Sequence, residues 1–109
     1  MVRTTIRMLI PPGKRREALD ILNSMTGPIR IEPGCMSFRI YRDVEDKRAI
    51  MLEELWASEK DLQHHLRSDQ YRNVLLVVEM SVEPPEIRFD TINHSAGVEI
   101  IEQARGQTR

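Results

Sequence analysis

The sequence predicts an α+β domain in which four antiparallel strands form one sheet and the helices cover a single face of it. Four segments alternate polar and apolar residues with the two-residue period of a strand, and the segments between them carry apolar residues at helical spacing. Their order, β-α-β-β-α-β, is that of a split βαβ arrangement. The length of 109 residues is that of one small domain.

The first half of the chain supplies a strand, a helix and a second strand. Residues 2–10 alternate and predict the first strand, and the apolar stripe of residues 14–25 predicts a helix that ends at Gly27-Pro28. A turn is expected at Glu32-Pro33-Gly34. The second strand follows, because three apolar residues alternate with polar ones: Met36, Phe38 and Ile40.

The third predicted strand, 49–56, is apolar on both faces. Alternate residues form these faces, with Ile50, Leu52, Glu54 and Trp56 on one and Met51, Glu53 and Leu55 on the other. A sheet that is open to water on one side needs no second apolar face, so both faces are expected to be covered. Helices would cover the first face, and the same face of a second copy would cover the other in a two-fold homodimer.

Two helices and a last strand complete the prediction. Ser58, followed by acidic residues, is a typical N-cap and predicts a helix to about Leu66. A second helix is expected from Ser68 to about Val78, with a buried stripe formed by Tyr71, Val74, Leu75 and Val78. The fourth strand is predicted where apolar and β-branched residues alternate after Pro84-Pro85, at Ile87, Phe89 and Thr91. We therefore expect one domain over residues 1–92 and a tail or short helix over 93–109.

Composition excludes several functional classes. The 16 Lys+Arg nearly balance the 17 Asp+Glu, which argues against a nucleic-acid binder or an anionic-membrane binder. The single cysteine, Cys35, cannot form an intrachain disulfide, and no apolar run suits a signal peptide or membrane span, so a cytoplasmic protein is expected. The scattered glycines form no phosphate loop, and the three histidines form no convincing metal set. No cofactor and no metal are expected.

Four short motifs occur at an informative spacing. They are Glu32-Pro33-Gly34-Cys35, Phe38-Arg39-Ile40-Tyr41-Arg42-Asp43, Glu54-Leu55-Trp56-Ala57-Ser58, and Leu62-Gln63-His64-His65 with Ser68 three residues on. Together, over residues 4–92, they resemble the antibiotic biosynthesis monooxygenase family. The resemblance implies a ferredoxin-like homodimer, a dimeric α/β barrel with a pocket between sheet and helices. Similar proteins include cofactor-independent monooxygenases of quinols and polycyclic phenols, haem-degrading enzymes and an isomerase of a phosphorylated sugar.

The resemblance implies that Glu54 and His65 are catalytic. Glu54 should lie under the helices, where a carboxylate must find a partner or take up a proton, so it is either a general base or a structural group. His65 could remove a phenolic proton, or it could be a half-buried histidine bonded to Glu54. Haem-degrading members have a tryptophan at the place of His65 and a haem-ligating histidine ten residues later, where this chain has Leu75. Haem is therefore not expected.

Four residues are predicted to bind the substrate. Trp56 matches the family's E-x-W motif and would either fill the core or stack on an aromatic ring. Leu52 and Leu62 would be apolar walls. Tyr41 shares a face with Ser37 and Arg39, and it would bond a substrate oxygen if that face lined the pocket, or belong to the dimer interface if it did not.

The first functional hypothesis is a cofactor-independent monooxygenase that oxidises a small aromatic hydroquinone or polyphenol in a water-excluding pocket, with His65 relayed to Glu54 as the base. The alternative is a non-catalytic dimeric module that binds a small hydrophobic molecule or serves in stress. A third possibility, an isomerase of a phosphorylated sugar, needs the basic cluster Lys14-Arg15-Arg16 to face the pocket. An open pocket lined by Glu54 and His65 would favour the enzyme, and a pocket filled by Trp56 would favour the module.

Overall fold

The computed structural model describes residues 1–106, which form one four-stranded antiparallel sheet and its helices. In chain order the elements are β1 (Val2–Leu9), a 3-10 turn (Pro12–Lys14), α1 (Arg15–Arg30), β2 (Cys35–Arg42), β3 (Ala49–Trp56), α2 (Glu59–Leu66), α3 (Tyr71–Glu79), β4 (Glu86–Thr91) and α4 (Val98–Ala104). The strand order β2-β3-β1-β4 confirms the predicted ferredoxin-like α+β fold. Within residues 1–106 no helix is long and apolar enough to cross a membrane. The last three residues of the predicted tail, 107–109, lie outside the described part.

The core lies between one face of the sheet and the helices α1 to α3. In the β1–β3 pair, Ile6 lies opposite Leu52 and Thr4 opposite Glu54, so these side chains share the helix-facing side. Helix α1 covers them with residues spaced one turn apart, all at most 4% exposed: Ala18, Leu22, Met25 and Ile29. Burial of this stripe fixes the rotation of α1 on the sheet.

Helix α1 continues past Gly27-Pro28, where the sequence predicted its end. Pro28 lacks an N–H, but it stands only two residues from the last residue of the helix, so one backbone bond is forgone. The next residue, Ile29, is fully buried, and burying such a side chain contributes about 1.5–3 kcal/mol. That contribution offsets the lost bond, so the helix ends at Arg30 and the Glu32 turn begins directly below it.

A β-bulge in β2 interrupts the predicted alternation of this strand. Cys35 lies opposite Trp56 and Ser37 opposite Leu55, so Met36 is the extra residue between consecutive partners. The predicted alternation of Met36 with Phe38 and Ile40 is therefore wrong at Met36, which is 58% exposed.

The buried stripe of α3 also differs from the prediction. Val74 and Val77 are fully buried, Tyr71 and Val78 pack against the core, and Leu75 is 46% exposed. Leu75 lies about 100° around the helix from Val74 and so leaves the buried side. The side of α3 that faces the core therefore contains Val77 in the place expected for Leu75.

The other face of the sheet is uncovered in the single chain. Its central part mixes charged and apolar side chains of β1, β2 and β3: Arg3, Arg7, Leu9, Arg39, Met51, Glu53 and Leu55. Met51 and Leu55 are partly buried among these neighbours. At one edge Arg7 reaches Asp43, with 3.6 Å between Nη2 and Oδ2. The face that we expected a second copy to cover is thus of mixed polarity.

Candidate functional site

A buried network under α2 joins two carboxylates through one imidazole. His65 Nε2 lies 3.2 Å from Glu54 Oε2, and His65 Nδ1 lies 3.1 and 3.0 Å from Oε1 and Oε2 of Glu32. His65 is fully buried and Glu54 is 3% exposed, whereas the side chain of Glu32 keeps 14% of its surface exposed. Glu32 is therefore the member of the network that reaches the surface.

Regular elements position the two inner members. Glu54 occupies a helix-facing position of β3, opposite Thr4 of β1. His65 lies on α2, whose first turn is fixed by the predicted N-cap: Ser58 Oγ accepts a hydrogen bond from the backbone N–H of Asp61 at 3.1 Å. Strand and capped helix together hold the imidazole over the carboxylate.

The turn between α1 and β2 positions Glu32. Gly34 has a φ of 82°, a left-handed conformation that favours glycine. A Cβ at Gly34 would also overlap the side chain of Asp61, so the turn approaches α2 more closely than any other residue would allow. The Gly34 carbonyl accepts from the Ala57 N–H at 2.8 Å, which ties the turn to the end of β3. This close approach brings Glu32 within reach of His65.

Both carboxylate oxygens of Glu54 have hydrogen-bonding partners. Its Oε1 accepts from Thr4 Oγ1 and from Trp56 Nε1, each at 3.0 Å, while Oε2 faces His65. The Trp56 ring also stacks on the imidazole at 4.4 Å between centroids, and Tyr71 approaches the imidazole edge-on at 5.2 Å. Such bonds offset the cost of burying a carboxylate. Trp56 therefore holds the network and fills the space above it.

The surroundings of His65 favour its charged form. Burial opposes that form, but hydrogen bonds and charge attraction from Glu54, and then from Glu32, outweigh burial and raise the pKa of His65 above its ordinary value. Ionised carboxylates only accept hydrogen bonds, so both contacts of the imidazole are hydrogen bonds when both of its nitrogens carry protons. Burial, with the Glu54 charge, raises the pKa of Tyr71 to about 12, so this phenol stays protonated at neutral pH. The imidazole in this network therefore holds a proton more firmly than a free histidine does.

A cleft adjoins the Glu32 turn. It has a volume of about 370 Å³ and is lined by Arg30, Cys35, Met36, Ser37, Phe38 and Arg39. Cys35 links it to the network, since its backbone N–H donates to the Glu32 carbonyl at 3.1 Å. Burial, followed by the charges of Glu54 and Glu32, raises the pKa of the Cys35 thiol, so that thiol lies in the field of both carboxylates. None of the three network residues, Glu32, His65 and Glu54, lines this cleft, and Glu32 lies beside it through the turn.

The predicted site residues separate into two groups. Glu54, His65 and Trp56 come together, and Leu52 and Leu62, at 1% and 5% exposed, belong to the core packed around them. Tyr41 does not join them. It lies opposite Met51 on the uncovered face and lines a separate cleft of about 190 Å³.

The basic cluster at residues 14–16 is also remote from the network. Arg15 and Arg16 line a cleft of about 500 Å³ together with Arg42, and no member of the network lines that cleft. Arg16 pairs with Asp20 at 4.0 Å in an exposed i,i+4 contact. This placement gives no support to the phosphorylated-sugar isomerase.

Glu32 is the site residue that the sequence did not single out. It was assigned only to a turn, and it lies 33 positions before His65. A carboxylate in Glu-Pro-Gly directly before a strand was the available indication, since the motif was already part of the family resemblance.

Residues 1–106 contain no cluster of three or more His, Cys, Asp or Glu side chains arranged to hold a metal ion. The group of side chains most similar to a metal site is the Glu32–His65–Glu54 network, but both ring nitrogens of His65 already face carboxylates.

Known structures share this fold. A Mycobacterium tuberculosis protein is 25% identical, with a TM-score of 0.79 over 88% of this chain and 98% of that one. A structure of an antibiotic biosynthesis monooxygenase has a TM-score of 0.76 at 18% identity, over 84% of this chain and 98% of the other, which is a likeness of fold.

Sequence relatives extend the comparison. An uncharacterized protein of Synechocystis sp. is 25% identical over 81 residues, which are 73% of this chain and 55% of the relative. The chain thus spans about half the length of this curated relative. The sequence profile of the antibiotic biosynthesis monooxygenases matches residues 1–75, a stretch that contains Glu32, Glu54 and His65. The chain belongs to the antibiotic biosynthesis monooxygenase family.

Proposed function

We propose that this protein is a cofactor-independent monooxygenase that oxidises a small aromatic hydroquinone or polyphenol. The observation that carries the proposal is the Glu32–His65–Glu54 network, a buried base with one carboxylate at the surface. A phenol reacts with dioxygen far more readily as the electron-rich phenolate, so a proton acceptor is the group that such an enzyme must supply. The family match supports the reaction class.

The reaction balances without a further reductant. A hydroquinone and O₂ give a hydroxyquinone and water: one oxygen atom enters the ring, and the other leaves as water with two hydrogens of the substrate. The substrate supplies all four electrons that dioxygen takes up. The protein needs only to remove the phenolic proton, hold the anion and exclude water.

The proton enters the network at Glu32. Both nitrogens of His65 face carboxylates and the ring is fully buried, so a substrate cannot reach the imidazole directly. The Glu32 carboxylate accepts the phenolic proton and passes it to His65 Nδ1, where Glu54 stabilises the resulting imidazolium. In this scheme Glu32 and His65 move the proton, Glu54 is a positioning residue, and Trp56 orients Glu54 through its indole N–H.

The substrate would occupy the cleft beside the Glu32 turn. The roughly 370 Å³ of this cleft can hold a small aromatic ring system. Arg30 and Arg39 line it and favour an anionic phenolate. Trp56, being fully buried, contacts the imidazole instead of the ring of the substrate.

The functional unit would be a homodimer joined through the uncovered sheet face. Proteins of this family are generally dimeric, and Met51 and Leu55 would be buried by the same face of a second copy. Light scattering at micromolar concentration tests this assembly. A monomer under these conditions would contradict it.

The decisive experiment is oxygen uptake with a panel of hydroquinones and anthrones. We expect a substrate-dependent rate that falls about 10²–10⁴-fold in His65→Ala, the usual contribution of a positioned acid–base group. His64→Ala is the matched control, because His64 is the exposed neighbour on the same helix, and its rate should equal that of wild type. Uptake at the uncatalysed rate with every compound would remove the monooxygenase proposal.

The pH profile separates a proton path from a structural role. His65 accepts a proton only when deprotonated, so the rate should rise with pH through the elevated pKa of this residue. Glu32→Gln removes a charge that raises this pKa, so the rise should move to lower pH, with a lower maximal rate. Glu53→Gln, on the opposite face of the same strand, should leave the profile in place. An unmoved profile in Glu32→Gln would contradict entry of the proton at Glu32.

One observation favours the non-catalytic module as a second candidate: Trp56 fills the space over the network, and neither Glu54 nor His65 lines a described cleft. In that case the network stabilises the fold and the cleft only binds. A hydroquinone that binds, as shown by calorimetry, without stimulating oxygen uptake would support the module. Turnover that depends on His65 would exclude it.

A further inference from the structure

The last helix, α4, has an apolar side that nothing in its own chain covers. At about 100° per residue, one half of its circumference carries Val98, Ile100, Ile101 and Ala104, and the other half carries Glu99, Glu102 and Gln103. Val98, Ile100 and Ile101 are 58%, 52% and 59% exposed. Separation of apolar and polar residues on so short a helix is the pattern of a helix that packs on an apolar surface.

Helix α4 stands away from the body of the domain. None of its residues is buried, and the radius of gyration of 16.2 Å and the longest extent of 51 Å describe an elongated molecule. A compact domain of this length has a radius of gyration of about 13 Å. An apolar helix face that is held in water away from its own core indicates a contact with another molecule.

A complementary apolar cleft lies between α2 and β4. Its volume is about 330 Å³, and its walls are Val2, Glu59, Leu62, Gln63, Leu66, Phe89 and Thr91. Phe89 and its strand neighbour Ile87 lie on the helix-facing side of β4, yet they are 50% and 47% exposed. The helix layer therefore ends before it reaches β4, and this part of the inner face is bare.

We propose that α4 of one copy docks into the α2–β4 cleft of a second copy. Both surfaces are apolar and unpartnered, and one is convex where the other is concave. A positive residue that ends the helix, Arg105, complements Glu59 at the wall of the cleft. The family is generally dimeric, and the cleft lies on the side of the sheet opposite to the uncovered face, so this contact would add to a dimer that is joined through that face. In its own chain α4 leaves this cleft empty, although only residues 92–97 separate it from β4.

The docked helix would also seal one side of the buried network. Val2 lies opposite Trp56 in the sheet, and Leu62 precedes His65 by one turn of α2. Covering both residues would keep water from this side and leave the Glu32 side open. The docking does not depend on the oxidation chemistry, so it can be tested on an inactive protein.

Disulfide trapping between two differently tagged chains tests the docking. In a Cys35→Ser background, one chain carries Ile101→Cys on the apolar side of α4 and the other carries Phe89→Cys in the cleft. We expect a mixed disulfide dimer after mild oxidation. Gln103→Cys, on the polar side of the same helix, is the matched control and should form at least tenfold less of it.

Other outcomes contradict the proposal. A monomeric disulfide in a single chain that carries both cysteines, without any mixed dimer, would mean that α4 folds back onto its own cleft. Equal trapping of Ile101→Cys and Gln103→Cys, or none with either, would mean that the apolar side does not occupy the cleft.

A second measurement uses the native cysteine content. Ile101→Glu should raise the dimer dissociation constant about tenfold or more in sedimentation equilibrium, since it places a charge in an apolar contact. Gln103→Glu should leave the constant unchanged. Because α4 is outside the core, both variants should keep the circular dichroism of the wild type. An unchanged constant in Ile101→Glu would overturn the docking.

Discussion

The helix-facing side of the sheet is covered at β3 and partly exposed at β4. Under α2, the polar side chains of Glu54 and His65 are buried, and both have hydrogen-bonding partners. Two strands away, the apolar side chains of Ile87 and Phe89 lie on the same face and are about half exposed. The chain thus buries polar groups where it can complete their bonds, and it exposes apolar ones where its own helices do not reach. The first region is covered by helices of its own chain, and the second is left about half exposed.

Removal of the Glu54 side chain should cause the largest loss in free energy of unfolding among these predictions. Glu54→Ala leaves His65, Trp56 and Thr4 without their shared acceptor in the core, and breaking a buried pair costs about 3–5 kcal/mol in free energy of unfolding. Urea denaturation measures the loss. Glu53→Ala, one residue away on the uncovered face, should cost less than about 1 kcal/mol. Similar losses in both variants would show that the network is not a special source of stability.

A substitution in the turn that carries Glu32 should cause the next largest loss of stability. Gly34→Ala places a side chain at a φ of 82° and against Asp61, and a left-handed conformation alone costs about 1–2 kcal/mol in a residue with a Cβ. Thermal denaturation should therefore show a lower melting temperature.

Gly27→Ala is the control for this substitution. Gly27 lies inside α1 with open space around its Cα, so alanine should stabilise the protein by about 0.5–1 kcal/mol. A neutral Gly34→Ala would mean that the turn adapts and does not fix Glu32.

Shortening Phe89 should have a small effect in the isolated chain and a larger one in an assembly. At half exposure, Phe89→Ala should cost about 1 kcal/mol or less at protein concentrations where the copies are separate. The cost should grow at concentrations where they associate, because the second copy then buries the ring. Urea denaturation at two protein concentrations measures the difference. A loss independent of concentration would place Phe89 in the core of its own chain.

The smallest expected effect is the dependence of stability on pH through His65. Burial lowers the folded pKa of His65, but Glu54 and then Glu32 raise it by more, so the net shift is upward. The contribution of His65 to stability is therefore complete below its unfolded pKa and disappears as pH rises through its folded pKa. The free energy of unfolding of wild type relative to His65→Gln should therefore decline as pH increases from about 5 to about 9. A difference that grows with pH would have the wrong sign.

Periodicity was sufficient for the layout of the fold. The eight-residue run of β3 and the N-cap Ser58 have the bounds and role expected from local pattern alone. The end of α1 was not predictable in this way, because Pro28 indicates a stop and only the burial of Ile29 in the assembled core outweighs it. Leu75 and Met36 were misplaced for the same reason: both depend on how an element rotates or bulges against its neighbours.

The candidate site was predictable in part. Glu54 and His65 could be paired because each lies on the inner side of a regular element. Glu32 has no periodic pattern around it, since its position is set by a left-handed glycine and by the approach of the turn to α2. Residues brought in by loops from a distant part of the chain leave little trace in local sequence.

The bulge at Met36 has a consequence for the outer edge of the sheet. Strand β2 is an outer strand, and a regular outer strand offers its row of unpaired amides to any other strand in solution. Here the extra residue interrupts that row, and Arg30 Nε and Nη2 both donate to the Phe38 carbonyl at 3.2 and 2.9 Å. A foreign strand would meet a kink and an occupied acceptor, so β2 is a poor template for growth of the sheet beyond this edge.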